Sequence, residues 1–291
     1  MITARIFLVL TILNLAIRSA NAGDTNLMVG YCTADFAAAK SAGFDFAEVR
    51  IREFMKLSDG DFDKFEADCR RTGLPLTTAY WFLPNEMKVS GPDVDMNAVT
   101  NYFAKSLDRC ARLGVKFIVW GSGDARRIPA GFSKEQAFQQ LVTLGKILAT
   151  EAKKRGIIIV AEPLRHQESN TINSAAEGLK WVEAVDHPNF QLLVDIYHMT
   201  EEHEDAAIIV KAGAHIAHVH MSNPQGRVFP LKADEFDYKP FFNALRQIGY
   251  HGTVSIEAKT SDLAVEGPKA IEFIHSAYAT ARTSATRDMA K

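Results

Sequence analysis

The sequence lacks several features that would place it in a common functional class. No apolar run after residue 22 approaches the ~20 residues of a membrane-spanning helix. No G-x-G-x-x-G pattern follows the first predicted strand, which argues against a dinucleotide-binding protein. The chain has 33 basic and 35 acidic side chains, a formal net charge of −2, so it lacks the basic surplus of a typical nucleic-acid-binding protein.

Cysteine is also scarce, with three residues in the whole chain. Cys69 and Cys110 each stand four residues before a glycine that is expected to end a helix, and the two helices should be neighbours. A disulfide between them is one interpretation, and export would favour its oxidation. Packed helix axes lie ~8–10 Å apart, however, while a disulfide needs Cα atoms within ~7 Å, so buried free thiols are favoured.

Histidine is absent from the first half of the chain. The first of the nine histidines is His166. Because histidine is a common acid, base and metal ligand, this asymmetry predicts that the chemistry lies in the second half.

The first 22 residues have the order of a signal peptide. Arg5 precedes an apolar segment at 6–17, and Ala20-Asn21-Ala22 has the small-x-small form of a cleavage site. We expect an exported protein, periplasmic or secreted, that has no membrane anchor after cleavage. A buried first strand or helix is the alternative interpretation.

The remaining chain, 23–291, alternates short apolar strands with longer amphipathic helices. Strands are predicted at 26–33, 44–51, 76–82, 115–120, 157–161, 190–195, 216–221 and 253–257. Eight strand–helix units of this length predict one domain, an α/β protein with a (β/α)₈ TIM-barrel fold. A polar tail is expected at about 283–291.

Four consecutive predicted strands end in an acid or a histidine, and these are Glu162, Asp195, His220 and Glu257. The carboxyl ends of parallel strands meet at one end of a barrel, so these side chains should converge. Crowded carboxylates repel unless a cation or protons neutralise them. Three carboxylates and an imidazole suit Mn²⁺, Mg²⁺ or Co²⁺ better than a structural zinc, with Zn²⁺ as an alternative.

Each of these strand ends lies in a short motif, and the motifs together resemble a known family. They are Glu162-Pro163-Leu164, Asp195-Ile196-Tyr197-His198, His218-Val219-His220 and Ser255-Ile256-Glu257. They are similar to the sugar phosphate isomerase/epimerase group of the xylose isomerase-like TIM barrels. That group includes ketose 3-epimerases, hydroxypyruvate isomerases and inosose isomerase-like enzymes, and the resemblance spans 26–279.

The resemblance implies a role for each matching residue. Glu162, Asp195, His220 and Glu257 would be the metal ligands, and Glu162 and Glu257 would also be the acid/base pair. The matching substrate contacts would be Glu168, His198 and Arg227. The implied enzyme moves a proton through an enediolate in a sugar or a sugar-like polyol ketone, as an isomerase or epimerase.

Other activities stay open on the same metal site. A lyase, dehydratase or hydrolase acting on an oxidised sugar or glycoside is the first alternative, because the fold does not fix the reaction. A nuclease similar to endonuclease IV is remote, since such enzymes also need histidines from the first half of the barrel. We expect a carbohydrate as the partner and no nucleic acid; homo-oligomerisation is left open.

Aromatic residues end the third and fourth predicted strands. Trp120, with the Gly121-Ser122-Gly123 loop after it, is predicted to contact a sugar or an anionic group; a tight turn is the alternative. Tyr80, Trp81 and Phe82 could wall one side of the pocket or pack in the core. Strand alternation allows only some of them to face the pocket.

The second predicted strand carries Glu48 and Arg50 on one face. A buried ion pair between them inside the barrel is favoured over contact with the substrate.

Overall fold

Eight parallel strands close into a barrel in the computed structural model, which describes residues 27–282. Neighbours in the barrel are neighbours in sequence, and the first strand pairs with the last. The strands are β1 (Met28–Cys32), β2 (Phe46–Arg50), β3 (Thr78–Tyr80), β4 (Phe117–Trp120), β5 (Ile158–Ala161), β6 (Phe190–Asp195), β7 (Ile216–Met221) and β8 (Thr253–Ile256). The predicted (β/α)₈ barrel is therefore confirmed.

Helices follow the strands and form the outer layer. They are α1 (Phe36–Ser41), α2 (Ile51–Met55), α3 (Asp59–Thr72), α4 (Met96–Leu113), α5 (Lys134–Lys153), α6 (Ala175–Val185), α7 (Ile196–Glu201), α8 (Ala207–Ala212), α9 (Lys239–Gln247) and α10 (Leu263–Ala279), with a 3₁₀ turn at Gly213–His215. None of these helices is long and apolar enough to cross a membrane. The leader at 1–22 and the tail at 283–291 lie outside the described residues, so export stays a prediction.

Two short helices were not predicted, α2 directly after β2 and α7 directly after β6. In α7 the side chain of Asp195 accepts a hydrogen bond from the backbone N–H of Tyr197 at 2.8 Å and caps the helix. Strand β6 ends at Asp195 and helix α7 begins at Ile196, so no turn residues separate them to mark the boundary in the sequence.

The apolar core has two parts. The larger part lies between the strands and the helices. A small cluster fills the barrel interior, formed by Cys32, Tyr80, Val119, Val160 and Leu193. Because the interior cluster is small, polar side chains of neighbouring layers complete the filling of the barrel.

All three cysteines are free, buried thiols. The disulfide between Cys69 and Cys110 is not formed, in agreement with the favoured interpretation. Burial raises the pKa of Cys69 to about 11 and raises that of Cys110 as well.

Gly30 makes room for an aromatic ring inside the barrel. A Cβ at Gly30 would lie 2.2 Å from the ring of Phe46, its partner on β2. The Phe46 ring is fully buried beside the imidazole of His218. The absence of a side chain at Gly30 is therefore a packing requirement.

We expect Gly30→Ala to lower the free energy of unfolding by about 1–3 kcal/mol, because overpacking forces the ring or the strand to move. Thermal unfolding followed by circular dichroism measures the effect. Gly60→Ala is the matched control, since a Cβ at Gly60 in α3 meets nothing within 4 Å. Equal melting temperatures for the two variants would contradict this packing argument.

Candidate active site at the carboxyl ends of the strands

The four residues predicted at strand ends meet in one cluster. Glu162 and Glu257 directly follow β5 and β8, Asp195 ends β6, and His220 lies in β7. Asp195 and His220 are register partners. One donor atom from each of the four residues lies within 4.8 Å of those of the others. The barrel therefore brings together every residue of the predicted ligand set.

Two basic side chains hold the carboxylates of this cluster. His220 Nδ1 lies 3.1 Å from Glu162 Oε1 and 3.2 Å from Glu257 Oε2. Arg227 Nη2 lies 2.6 Å from Glu257 Oε2 and 3.3 Å from Asp195 Oδ2. The negative charge of three acids is thus shared with one imidazole and one guanidinium.

The two glutamates differ in protonation behaviour although they are neighbours. Burial raises the pKa of Glu162. Burial acts in the same direction on Glu257, but the nearby charge of Arg227 and the contact with His220 outweigh it and hold the pKa of Glu257 at about 2. A pair of carboxyl groups with pKa values pushed apart is a recurring arrangement in acid/base sites.

The donor set fits a divalent cation. It offers three carboxylates and one imidazole, and oxygen-rich sets of this kind suit hard or borderline divalent ions. A second group, Cys32, Glu48 and His220, is also close together. It fits less well, because burial raises the pKa of the Cys32 thiol and Glu48 already accepts several hydrogen bonds.

Glu48 is the site residue that sequence reasoning missed. Its carboxylate is fully buried and accepts from Thr78 Oγ1 at 2.8 Å. It also lies 3.0 Å from His218 Nε2 and 3.1 Å from His220 Nε2. His220 is therefore held between Glu48 below and the carboxylate cluster above. Metal-ligating histidines usually donate their second N–H to a carboxylate in this way.

The expected ion pair between Glu48 and Arg50 is wrong. Arg50 donates from Nε to Tyr80 Oη at 2.8 Å, and its guanidinium lies 4.6 Å from the ring centre of Trp81. The two residues share a face, but Arg50 is one layer nearer the barrel mouth. His218 and His220 could have pointed to Glu48, because two histidines on one face of a strand offer N–H donors to a buried acid.

A cavity of about 500 Å³ opens above the carboxylate cluster. Glu162 and Glu257 line it together with three residues predicted to contact substrate, namely Glu168, His198 and Arg227. His198 is buried, with Nε2 3.6 Å from Asp195 Oδ2 and Nδ1 accepting from the Arg165 N–H at 3.3 Å. The backbone of Arg227 has a φ of +51°, which is uncommon for a side chain of this size. Its carbonyl accepts from the Lys259 N–H at 2.9 Å, which ties it to the chain after β8.

Trp120 does not line this cavity, so its predicted role in contacting substrate is wrong. Its side chain is fully buried between β4 and the helices, with ring centres 4.9 Å from Trp181 and 5.9 Å from Phe103. The register explains the difference, since Val119 pairs with Val160 inside the barrel and Trp120 therefore points outward. The loop after it, Gly121–Gly123, does line the cavity.

Comparison with known proteins identifies the family. The family model described as "Xylose isomerase-like TIM barrel" matches residues 36–277. The chain belongs to this family. The resemblance noted in the strand-end motifs is thereby confirmed.

Several similar proteins and solved structures are named as epimerases. The D-psicose 3-epimerase of Ruminiclostridium cellulolyticum is 27% identical over 224 residues, 74% of each chain. The 3-dehydro-D-guloside 4-epimerase of Escherichia coli is 24% identical over 77% of this chain and 86% of its own. The D-allulose 3-epimerase of Methylomonas sp., solved in complex with D-allulose, superposes with a TM-score of 0.76. It is 25% identical and covers 87% of this chain and 97% of its own. The protein is an enzyme of this xylose isomerase-like family.

We expect Glu48→Gln to weaken the binding of Mn²⁺ by about 10- to 100-fold, because the glutamine amide cannot accept from both histidines and His220 loses its fixed orientation. Calorimetric titration of the metal-free protein at a temperature where the variant is folded measures the affinity. Glu183→Gln, an exposed position on α6, is the control and should bind as the wild type does. Unchanged affinity in Glu48→Gln would rule out this positioning role.

Proposed function

We propose that the protein is a divalent-metal-dependent epimerase or isomerase of a keto sugar, with Glu162 and Glu257 as its acid/base pair. The observation that carries the proposal is that both carboxylates line one cavity, beside a ligand set that fits a metal ion. The relatives named as epimerases of D-psicose and of a 3-dehydro-guloside support a sugar ketone as the substrate.

The two glutamates approach this cavity from different parts of the barrel wall. Glu162 follows β5 and Glu257 follows β8, with β6 and β7 between them. A sugar bound between them would present one face of a carbon to each carboxylate. One glutamate removes a proton from its side, and the other delivers a proton to the opposite face. Delivery to the adjacent carbon instead would give isomerisation.

Glu162, Asp195, His220 and Glu257 would hold the metal ion, and Mn²⁺, Mg²⁺ and Co²⁺ are the ions that this donor set suits best. When bound, the ion would polarise a carbonyl group and make the neighbouring C–H more acidic. His220 stays oriented through its contact with Glu48.

Three further side chains that line the cavity would bind sugar hydroxyl groups. Arg227 offers guanidinium donors, Glu168 offers carboxylate acceptors, and His198 offers one ring nitrogen, since its Nδ1 already accepts from the backbone. Arg227 Nη1 lies 3.9 Å from Glu168 Oε1, so these two side chains can act on neighbouring hydroxyls. These three side chains would therefore recognise the sugar through hydrogen bonds to hydroxyl groups along one of its edges.

Proton exchange in D₂O tests the proposed reaction directly. With Mn²⁺ present, the wild-type protein should introduce deuterium at the epimerised carbon of D-psicose or a related ketose, followed by nuclear magnetic resonance. Removal of divalent ions with a chelator should stop the exchange, and Mn²⁺ should restore it. Cleavage of the sugar without deuterium at carbon would refute the proposal and favour a lyase or hydrolase.

Variants of the two glutamates should separate their roles. Glu162→Gln and Glu257→Gln should each lower epimerisation by about 100-fold or more at saturating Mn²⁺. Each should retain exchange on one epimer of a substrate pair only, because the remaining glutamate reaches only one face. Glu183→Gln is again the control. Full turnover by both variants would mean that these carboxylates do not carry the proton.

A further inference from the structure

The cavity extends well beyond the carboxylate cluster. It is lined by Glu162, His198, Arg227 and Glu257. Residues from the segments after β2, β3 and β4 also line it, and we call them the outer subsite: Arg52, Trp81, Asn85, Asp124 and Arg127. A volume of about 500 Å³ lies in the range that holds drug-sized ligands, and a single monosaccharide is smaller than these.

Trp81 supplies an aromatic surface in the outer subsite. It directly follows β3 and is 43% exposed, whereas Trp120 and Trp181 are fully buried. Its φ of +51° is an outlier for a bulky residue and turns the side chain out of the strand. The Arg50 guanidinium lies 4.6 Å from the ring centre, and the Trp81 carbonyl accepts from the Arg52 N–H at 3.3 Å. The ring is thus held in place while a large part of it stays open to solvent.

Arg52 supplies an unsatisfied donor beside this ring. Its guanidinium lies 5.9 Å from the Trp81 ring centre, and its Nε is buried. Within residues 27–282, no acceptor hydrogen bonds to that Nε. Burial lowers the pKa of Arg52, which reflects the cost of this position. The Arg52 side chain also lines the cavity and makes no hydrogen bond or ion pair within residues 27–282, so its guanidinium is available to an acceptor on a ligand.

The other charges of the outer subsite are already balanced. Arg127 Nε lies 3.5 Å from Asp124 Oδ1, and its Nη2 donates to the Glu168 carbonyl at 2.9 Å. The subsite therefore offers the exposed ring of Trp81 and the guanidinium of Arg52. This combination suits the apolar face and the hydroxyl rim of a sugar ring.

Gly121 and Gly123, in the loop after β4, also line the cavity. A Cβ at Gly121 would lie 2.3 Å from Glu162 Oε2, and one at Gly123 would lie 2.3 Å from the Glu168 carbonyl oxygen. At these two positions the loop after β4 therefore presents only backbone to the cavity. A ligand can extend past these two positions without meeting a side chain there.

We propose that the outer subsite binds a second sugar ring, so that the substrate is a glycoside whose ketone-bearing ring lies at Glu162 and Glu257. The inference rests on the proposed function for the identity of the reacting ring. The second ring stacks on Trp81, and one of its oxygens accepts a hydrogen bond from Arg52.

Binding is tested with sugars that cannot react. Trp81 is the one exposed tryptophan of the three, so intrinsic fluorescence and its quenching by acrylamide report on the outer subsite. Methyl β-cellobioside should protect Trp81 at about tenfold lower concentration than methyl β-glucoside. Equal midpoints for the two ligands, or no protection by either, would overturn the proposal.

Turnover is tested with the 3-dehydro forms of the same two glycosides, which share the reacting ring. Deuterium exchange should show a kcat/KM about tenfold higher for the disaccharide. In Trp81→Ala and Arg52→Gln the ratio of the two kcat/KM values should fall toward 1, mainly because KM for the disaccharide rises. Arg71→Gln, on an exposed side chain of α3, is the control and should retain the preference. A preference that survives in Trp81→Ala and Arg52→Gln would exclude a second-ring site here.

The two experiments distinguish the failure of each proposal. Protection of Trp81 without exchange on any ketone would retain the outer subsite and reject the proposed reaction. Exchange on D-psicose without a preference for disaccharides would retain the reaction and reject the outer subsite. Protection only by a disaccharide with a carboxylate on its second ring would reject a neutral sugar as the ligand.

Discussion

The crowding of three carboxylates at the barrel mouth is the constraint on which the rest of the site depends. Asp195 ends β6, and Glu162 and Glu257 directly follow β5 and β8, so the three carboxylates meet at one point. Because they are shielded from water, their mutual repulsion is costly. His220 and Arg227 contact these acids and offset the repulsion. A divalent cation would offset the repulsion further, so the crowding that is costly for the carboxylates also suits them to a metal ion.

The stabilisation of this cluster extends down into the barrel. Glu48 joins His218 and His220, and His218 Nδ1 lies 2.7 Å from Thr253 Oγ1. The His218 ring stacks on Phe117, with ring centres 6.1 Å apart. Buried polar groups are tolerated when every partner is satisfied, and in this network each nitrogen and oxygen has a neighbour. The orientation of His220 is therefore fixed from below by packing and hydrogen bonds rather than by the acids alone.

The sequence was informative where chemistry and strand period coincide. Glu162, Asp195, His220 and Glu257 could be predicted because each stands at the end of an apolar run, and parallel strands all end on the same side. The predicted contact of Trp120 with substrate is wrong because Val119 pairs with Val160 inside the barrel, which turns Trp120 toward the helices. The contact between Glu48 and His220 could not be predicted from the sequence of β2 alone. The two residues lie on β2 and β7 and come together only when the barrel closes.

The two halves of the chain contribute unequally to the cavity. The strands from β5 onward supply the acids and histidines, while the segments after β2, β3 and β4 supply Arg52, Trp81 and Arg127. Proton transfer requires acid and base groups that are held in precise positions, and residues at the ends of the barrel strands meet this requirement. Recognition of the rest of the substrate depends on the loops, whose sequence can change without disturbing the strands. Enzymes with this barrel can therefore keep one set of acids and differ in substrate, and in this chain the difference should lie at Trp81 and Arg52 rather than at Glu162.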